Sequence, residues 1–505
     1  MLLGAENRPA RDKHRYQLLI AGEFVNPRSG KWFDTVDPFS GAAWAEIPLA
    51  NADDVDDAVR AAHTAFCGDA WSSLLPTERG DLLLGFAEVL EKHAKELALV
   101  EMRDNGKLLS EVQGQIAYMP KYFRYYAGLA DKICGSVVPI DKRGVLNFTC
   151  YEPLGVVAAI TPWNSSLTLA AWKLAPALAA GNTVVVKPSE YTSASMFELG
   201  KLAQLAGIPQ GVINVVTGFG YDVGHALVSH PLVARVAFTG GEEGGRRVYR
   251  TAADGLKPVS LELGGKSPHI VFRDADLEQA AKAVIAGIFS AGGQTCMAGS
   301  RLLVEDGIHD QFVDRLVTLV EKARPGDPSK PTSEMGPIAT RPQFEKILSY
   351  IEIGKIEGAV CVSGGRALGG PELGAGQFIA PTIFTEVRNT MRIAQEEIFG
   401  PVLCVLRFRD EDEALDIAND TKYGLAAGVW TNDLGRALKF AKKLKAGTVW
   451  INNYRSVSFT SPFGGYKASG IGREGGIEAM KEYLQVKSVW MSSDLEVSNP
   501  FIRKY

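Results

Sequence analysis

The segment 154–190 reads LGVVAAITPWNSSLTLAAWKLAPALAAGNTVVVKPSE. Two short runs rich in β-branched residues and alanine, Leu154–Ile160 and Thr183–Val186, enclose a longer apolar stretch at Leu167–Ala180. A strand, a helix of this length and a second strand are typical of a parallel sheet whose strands are joined by crossover helices. The segment therefore predicts an α/β fold.

The alternation continues along the chain in two series. The first adds predicted strands at Val212–Val216, Ala234–Phe238 and Val259–Leu263 and helices at Ser193–Ala206, Tyr221–Ser229 and Glu242–Ala253. The second has strands at His269–Phe272 and Arg301–Val304 and helices at Leu277–Ser290 and His309–Lys322. Two such series predict two α/β domains. Upstream, helical spacing of apolar residues predicts one helix over Val55–Phe66 and another over Leu83–Val100, after a charged tail of about 16 residues.

Composition excludes several classes of protein. The 505 residues are 46% hydrophobic and 22% charged, with a formal net charge of −4, which argues against disorder and nucleic-acid binding. We find neither an apolar run of about 18 residues nor a signal-peptide core, so no membrane span is expected. The six cysteines form no CxxC pair, which indicates neither a metal site nor a disulfide framework and fits a reducing cytoplasm.

Polar side chains follow three of the predicted strands. Asn164 lies in TPWN after the first, Lys187 in KPSE after the second, and Glu262 ends the strand in LELGGKSP. The carboxyl ends of parallel strands meet at one edge of a sheet, where ligands gather, so these groups predict a shared cleft. A salt-bridged core glutamate is the alternative for Glu262.

Cys296 lies among small residues in GQTCMAGSR, which leave room for a substrate beside the thiol. A nucleophilic cysteine needs access and a lowered pKa, and an inert core cysteine is the alternative. Two glycine motifs are candidate phosphate sites. GFGYDVG, 218–224, has the spacing GxGxxxG, one residue longer than the dinucleotide fingerprint, and FTGGEEGGR, 238–246, places Gly240 and Gly241 between a strand and a helix. For both, a tight turn is the alternative.

Taken together, seven motifs in order resemble the aldehyde dehydrogenase superfamily from about residue 17 onward. They are TPWN (161–164), KPSE (187–190), FTGG (238–241), LELGGKSP (261–268), GQTCMAGSR (293–301), EEIFGPV (396–402) and SPFGGYKASGIGRE (461–474). The resemblance implies a Rossmann-type parallel-sheet cofactor domain, a second α/β catalytic domain and a β oligomerisation arm. It places the NAD-binding domain at 1–133 and 152–262, the catalytic domain at 263–480 and the arm at 134–151 and 481–505.

The resemblance also implies the chemistry. Cys296 attacks the aldehyde carbon, the Asn164 amide and the Cys296 backbone N–H hold the oxyanion, and Glu262 activates the water that hydrolyses the resulting thioester. Lys173 and Glu474 match positions that relay protons, with an exposed ion pair as the alternative. A CoA-acylating enzyme and a catalytically silent NAD-binding or structural member are the alternative functions.

For the cofactor, the resemblance implies NAD. The residues that it assigns to this site are Thr161, Pro162, Trp163, Lys187, Ser189, Glu190, Gly220, Phe238, Thr239, Gly240, Gly241, Leu263, Gly264, Glu397 and Phe399. Glu190 favours NAD over NADP because a carboxylate binds ribose hydroxyls and repels a 2′-phosphate, although Lys187 leaves NADP open. The family usually has a serine where Gly241 stands, so a hydroxyl contact to the pyrophosphate is missing.

The substrate side is less determined. The candidate residues are Ser165, Trp172, Thr295, Met297, Tyr454, Arg455, Val457 and Phe463. Ser165–Ser166 replace the family's usual Phe-Pro, which widens or polarises the access path. Arg455 pairs with a carboxylate or, the favoured interpretation, is a surface residue on a loop. An aromatic, heterocyclic or polar catabolic aldehyde is expected, and succinate semialdehyde is disfavoured because Trp172 replaces an arginine.

The resemblance finally implies a homodimer or homotetramer in the cytoplasm. Pairing is expected through the arm at Cys134–Tyr151 together with Tyr483–Trp490, where VVPID and YLQVKSVW are interpreted as strands.

Overall fold

The computed structural model describes residues 13–493, 499 and 501. The strands are β1 His14–Arg15, β2 Leu18–Ile20, β3 Glu23–Val25, β4 Trp32–Val36, β5 Ala43–Pro48, β6 Val145–Pro153, β7 Val156–Ile160, β8 Thr183–Lys187, β9 Ile213–Val215, β10 Val233–Thr239, β11 Val259–Glu262, β12 Pro268–Val271, β13 Arg301–Glu305, β14 Val360–Ser363, β15 Ala367–Leu368, β16 Phe378–Ile379, β17 Thr382–Thr385, β18 Val402–Phe408, β19 Ala426–Trp430, β20 Thr448–Ile451, β21 Gly470–Ile471 and β22 Leu484–Ser492. The helices are α1 Ala52–Cys67, α2 Asp69–Ser72, α3 Pro76–Lys92, α4 Ala94–Asn105, α5 Leu109–Leu129, α6 Ser166–Ala179, α7 Ala194–Leu205, α8 His225–Ser229, α9 Glu242–Asp254, α10 Leu277–Phe289, α11 His309–Val320, α12 Arg341–Ile356, α13 Arg392–Gln395, α14 Glu411–Asn419, α15 Leu434–Lys443 and α16 Gly476–Lys481.

An eight-stranded sheet carries the first series, in the order β21-β11-β10-β7-β8-β9-β2-β3. Its five strands from β11 to β9 are parallel, while β21, β2 and β3 run antiparallel to their neighbours. Every residue of β7 and β8 is buried, as expected for strands with helices on both faces. The register pairs Ile160 with Lys187 and Thr239 with Glu262, so these residues end their strands at one edge of the sheet.

A seven-stranded sheet carries the second series, in the order β14-β17-β18-β13-β12-β19-β20. All its pairs are parallel except β14 with β17. The α/β prediction is therefore confirmed. No helix within the described residues has the length and apolar character needed to cross a membrane.

Two helix predictions were wrong in detail. The helix expected over Leu83–Val100 is divided into α3 and α4 at His93, whose φ of −106° and ψ of 12° interrupt the helix. The helix expected over Tyr221–Ser229 begins as a wide π-helical turn, Gly220–Gly224, before α8. Apolar periodicity continues across both irregularities, so it could not locate them.

The predicted arm is a two-stranded antiparallel ribbon of β6 and β22. YLQVKSVW is largely strand, but VVPID is not: Val137 forms only an isolated bridge to Phe148, and the strand begins at Val145. The tail at 1–12, and most of the expected arm after Ser493, lie outside the described residues.

Candidate active site

A cleft of about 860 Å³ lies at the carboxyl ends of β7, β8, β10 and β11. Asn164, Glu262 and Cys296 all line it, although they follow three different chain segments. The strand register explains the first two, and the loop after α10 brings Cys296 from the second sheet to the same place. The shared cleft that the strand ends predict is present.

All fifteen residues that the resemblance assigned to the cofactor line this cleft. Lys187 is buried at one end, where its Nζ donates to the Pro188 carbonyl oxygen at 2.9 Å and lies 4.0 Å from the Glu190 carboxylate. Burial lowers the pKa of Lys187 to about 8. Gly220, from the GxGxxxG motif, also borders the cleft.

The middle of the cleft is kept open by glycine. Gly241 lies directly before α9 with φ −69° and ψ 153°, and a Cβ there would meet no atom within 4 Å. A Cβ on Gly264 would collide with the Glu397 carboxylate, whose Oε1 accepts from the Gly265 N–H at 3.1 Å. The cleft thus contains the charged pair Lys187 and Glu190, an uncrowded stretch at Gly241 and the half-buried carboxylate of Glu397, which fits an extended dinucleotide.

The cysteine loop is held by buried polar contacts. Gln294 Nε2 donates to the Ala291 carbonyl oxygen at 3.1 Å, and Tyr454 Oη donates to the Met297 carbonyl oxygen at 3.1 Å. The Tyr454 ring also stacks on His269, with centroids 4.3 Å apart. Tyr454 therefore packs against the cysteine loop, and its place on the access path stays a prediction.

The Asn164 amide is positioned beside this loop. Its Nδ2 donates to the Gln294 carbonyl oxygen at 2.9 Å, so the chain turns the amide towards the residues that precede Cys296. An amide nitrogen carries two hydrogens, and the second is available for a developing oxyanion.

The nucleophile and the candidate base both favour their protonated forms. Burial, followed by the negative charges of Glu262 and Glu397, raises the pKa of the Cys296 thiol to about 12. Burial, followed by the charge of Glu474, raises the pKa of Glu262 well above its ordinary value. Glu262 is 5% exposed, and neither carboxylate oxygen has a hydrogen-bond partner within the described residues. The pKa of the Cys296 thiol is therefore raised, whereas the sequence analysis expected the lowered pKa of a nucleophile.

Lys173 and Glu474 form a buried ion pair, so the alternative of an exposed pair was wrong. Lys173 Nζ also donates to Thr239 Oγ1 at 2.7 Å, while Glu474 Oε2 has no partner within the described residues. The pair lies close enough to Glu262 for both of its charges to act on that pKa, Glu474 raising it and Lys173 lowering it.

The substrate candidates divide into an aromatic and a polar group. Trp172 stacks on Tyr122 at 5.7 Å and meets Phe463 edge-on at 5.5 Å. Val457 is exposed at 36%. Ser165, Thr295, Met297 and Arg455 are partly exposed.

Arg455 is not a free surface arginine, and that interpretation was wrong. Its guanidinium donates to the Ala286 carbonyl oxygen at 3.0 Å and to Thr295 Oγ1 at 3.3 Å. Thr295 directly precedes Cys296, so this hydrogen bond holds the positive charge of Arg455 close to the nucleophile. No local sequence pattern could indicate this contact.

The model of the aldehyde dehydrogenase family matches residues 24–489. The chain belongs to the aldehyde dehydrogenase family. It is 47% identical to an Acinetobacter baylyi (Z)-2-((N-methylformamido)methylene)-5-hydroxybutyrolactone dehydrogenase, over 97% of this chain and all of the relative. It is 46% identical to the mitochondrial aldehyde dehydrogenase family 2 member B4 of Arabidopsis thaliana, over 94% of this chain and 87% of the relative.

Solved structures agree. A Bacillus cereus aldehyde dehydrogenase with NAD+ has a TM-score of 0.93 and 43% identity, covering 95% of this chain and 97% of the other. A Staphylococcus aureus betaine aldehyde dehydrogenase with NAD+ has a TM-score of 0.95 and 38% identity, covering 97% of each chain. The expected fold, the NAD cofactor and aldehyde oxidation are thereby confirmed for this aldehyde dehydrogenase.

Sequence reasoning missed three functional candidates. Gln343 and Lys346, both on α12, line the cofactor cleft, and burial lowers the pKa of Lys346. Lys107, in the turn between α4 and α5, donates from Nζ to Ser165 Oγ at 2.6 Å. None of the three lies in a motif, so only the tertiary contacts locate them.

Proposed function

We propose that this aldehyde dehydrogenase uses Cys296 as nucleophile, Asn164 as oxyanion donor and Glu262 as general base. The observation that carries the proposal is the meeting of these three residues at a single cleft, together with all fifteen candidate cofactor residues. The Cys296 thiol gives its proton to the ionised Glu262 carboxylate, whose charge acts on it, and Sγ adds to the aldehyde carbon to give a thiohemiacetal oxyanion. The second Asn164 amide hydrogen and the Cys296 backbone N–H stabilise the oxyanion.

NAD, when bound, supplies the acceptor for the hydride that leaves the substrate carbon. Lys187 and Glu190 would hold its adenine ribose, Gly240 and Gly241 would leave room for the pyrophosphate, and Glu397 would hold the nicotinamide ribose. Loss of the hydride converts the thiohemiacetal on Cys296 into a thioester.

Hydrolysis of that thioester requires a base. In its ionised form Glu262, whose carboxylate oxygens have no hydrogen-bond partner among the described residues, can take a proton from the water that attacks the acyl carbon, and its raised pKa makes it a stronger base. Lys173 and Glu474, a buried ion pair whose charges act on Glu262, would pass that proton on. Burial strengthens the case for this relay because a surface pair would exchange protons directly with solvent.

A CoA-acylating enzyme would transfer the acyl group to CoA instead of water. The buried base favours water. The test follows NADH at 340 nm with aliphatic, aromatic, carboxylated and heterocyclic aldehydes, with and without CoA. We expect the free acid as product and no rise in rate with CoA; an acyl-CoA product would overturn the hydrolytic assignment. Failure to form NADH with any aldehyde, without a melting shift on addition of NAD, would support a catalytically silent protein.

The substrate proposal is a polar or heterocyclic catabolic aldehyde. The Acinetobacter relative is named for a hydroxylated lactone, which is a polar heterocycle, and this supports the proposal. The Staphylococcus neighbours are named for betaine aldehyde, for which the aromatic pair Trp172 and Phe463 is the corresponding feature here. Activity confined to unsubstituted aliphatic aldehydes in the same panel would contradict it.

The proposed domains are a cofactor domain at 1–133 and 152–262, a catalytic domain at 263–480 and an arm at 134–151 and 481–505. The two large sheets support this division, although β21 from the catalytic range joins the first sheet. Exposed Val486, Trp490 and Met491 on the arm support pairing of chains, as a homodimer or homotetramer. Sedimentation as a monomer at micromolar concentration would contradict that pairing. A cytoplasmic location is proposed from cysteine usage.

A further inference from the structure

Lys107 brings a buried positive charge close to the oxyanion donor. It is 4% exposed, and its Nζ donates to Ser165 Oγ at 2.6 Å and to Gln115 Oε1 at 3.3 Å. Both acceptors are neutral, and Ser165 directly follows Asn164 in the chain. A buried ammonium bound only to neutral groups lacks the compensation that an anion would provide.

Arg455 brings a second positive charge to Thr295, the residue that precedes the nucleophile Cys296 in the chain. It donates to Thr295 Oγ1 at 3.3 Å, and Thr295 directly precedes Cys296. Its φ of 65° is a left-handed conformation that costs free energy in a residue other than glycine. The loop after β20 therefore holds this guanidinium in place although the left-handed backbone of Arg455 is unfavourable in free energy.

The Arg455 charge acts on Lys107, and the Glu111 carboxylate acts on both cations without forming an ion pair with either among the described residues. Neither Lys107 nor Arg455 has a carboxylate within 4.0 Å among the described residues. The nearest carboxylates are engaged elsewhere: Glu111 accepts from a backbone N–H of the cysteine loop at 2.7 Å, and Glu101 accepts from a serine hydroxyl at 2.8 Å. Burial first, and the Arg455 charge in addition, lower the pKa of Lys107 to about 8, against the opposing effects of Glu111 and Glu101.

This pair of charges is distinct from the cofactor cleft. Ser165, Thr295 and Arg455 are partly exposed, yet none of them lines that cleft. Their exposed surface is therefore not part of the cofactor cleft. Lys107 itself is buried, and the partly exposed Ser165, whose Oγ accepts from the ammonium, lies between it and solvent.

We propose that Lys107 and Arg455 form an anion-binding subsite for a carboxylate carried by the aldehyde substrate, at the end remote from the carbonyl. The proposal rests on the proposed function and adds the substrate class: an aldehyde acid. A carboxylate between the two cations relieves their mutual repulsion and supplies charge-assisted hydrogen bonds. A cationic aldehyde is repelled by the same pair.

The kinetic test compares acid and neutral probes of similar shape. NADH formation is measured with succinate semialdehyde against butanal and with 4-carboxybenzaldehyde against benzaldehyde, for the wild type and for Lys107→Met, Lys107→Arg and Arg455→Met. We expect at least one acid probe to be preferred in kcat/KM. Lys107→Met is expected to lower that preference about 10- to 100-fold, mainly through KM, the effect of losing a hydrogen bond to a charged group. Lys107→Arg is expected to retain most of it.

A chemical test does not depend on turnover. Alkylation of Cys296 by iodoacetate and iodoacetamide is followed by mass spectrometry, and the ratio of the two rates cancels the reactivity of the thiol itself. We expect this ratio to fall at least several-fold in Lys107→Met, and in the wild type to fall as pH rises through about 8, where Lys107 loses its charge. The ratio for Lys107→Met is expected to stay flat over that range. Lys282→Met, an exposed lysine on α10, is the control and should match the wild type.

The outcomes separate the two proposals. An unchanged alkylation ratio in both Lys107→Met and Arg455→Met, with neutral aldehydes still oxidised, overturns the anion subsite and leaves the proposed function. A ratio that falls as expected, without NADH from any aldehyde, supports the subsite and overturns the proposed function. A folded Lys107→Met variant is expected to show a melting shift with NAD. If it shows none, the variant is misfolded, and the alkylation ratio of Arg455→Met is used to test the anion subsite.

Discussion

The cofactor side and the substrate side of Cys296 are built in different ways. The cofactor side consists of residues that follow strands or glycine turns in recognisable motifs, and all of those expected there line one cleft. The polar part of the proposed substrate side would draw on Lys107, Ser165, Thr295 and Arg455, which come from four separate segments. The residues expected at the cofactor are thus carried by local motifs, whereas those of the proposed substrate subsite meet only through contacts between distant segments.

The largest effect is expected from removing the Cys296 thiol, which lies between the cofactor side and the substrate side. Cys296→Ala should lower dehydrogenase activity by at least about 10⁴-fold, because the covalent route is lost. The cofactor side should be unaffected, so NAD should still raise the melting temperature. NADH formation and thermal melting measure the two effects, and Cys67→Ser, at an exposed cysteine, is the matched control. Turnover close to that of the wild type would remove Cys296 as nucleophile.

Glu262→Gln should separate hydride transfer from hydrolysis. The steady-state rate is expected to fall about 10²- to 10⁴-fold, as for loss of a general base, while a burst of NADH persists. Because the pKa of Glu262 is raised, its basic form grows with pH, and the wild-type deacylation rate should rise through that pKa. Rapid-mixing absorbance at 340 nm over a pH series measures both. A variant with an unchanged steady state would exclude an essential base.

Glu190→Gln tests the cofactor side alone. Removing a negative charge near the adenine ribose should raise the use of NADP relative to NAD about fivefold, which corresponds to about 1 kcal/mol for charges 4 Å apart in water. The preference between acid and neutral aldehydes should not change. The two kcat/KM ratios are measured on the same preparation, with Glu278→Gln, on the exposed face of α10, as control. An unchanged cofactor ratio would contradict the role of Glu190.

Gly241→Ser carries the smallest expected effect. The backbone at Gly241 is in the extended region and a Cβ there meets nothing within 4 Å, so serine should fit without strain. A new hydroxyl contact to the pyrophosphate should lower the Kd of NAD about two- to tenfold, the range of one net hydrogen bond. Calorimetric titration with NAD measures it. An unchanged Kd would mean that backbone amides suffice.

The buried ion pair shows where sequence reasoning stopped. Lys173 and Glu474 are 301 positions apart, and an exposed pair was a reasonable alternative for two charged residues. Only the packing of α6 against the segment before α16 buries them and connects their charges to Glu262. The same holds for the helix break at His93, where apolar spacing continues although the backbone does not.

By itself, the sequence determined the α/β architecture, the family, the NAD cofactor and the candidate residues at the strand ends. The architecture and the strand-end residues could be predicted because strand and helix periodicities are local and parallel strands bring their carboxyl ends to one edge, whereas the family and NAD were implied by the resemblance of seven motifs. Tertiary structure alone decided the burial of Lys173 and Glu474, the raised pKa of Cys296 and the convergence of Lys107 with Arg455. These depend on desolvation and on charges brought together across the fold, which no local pattern of residues records.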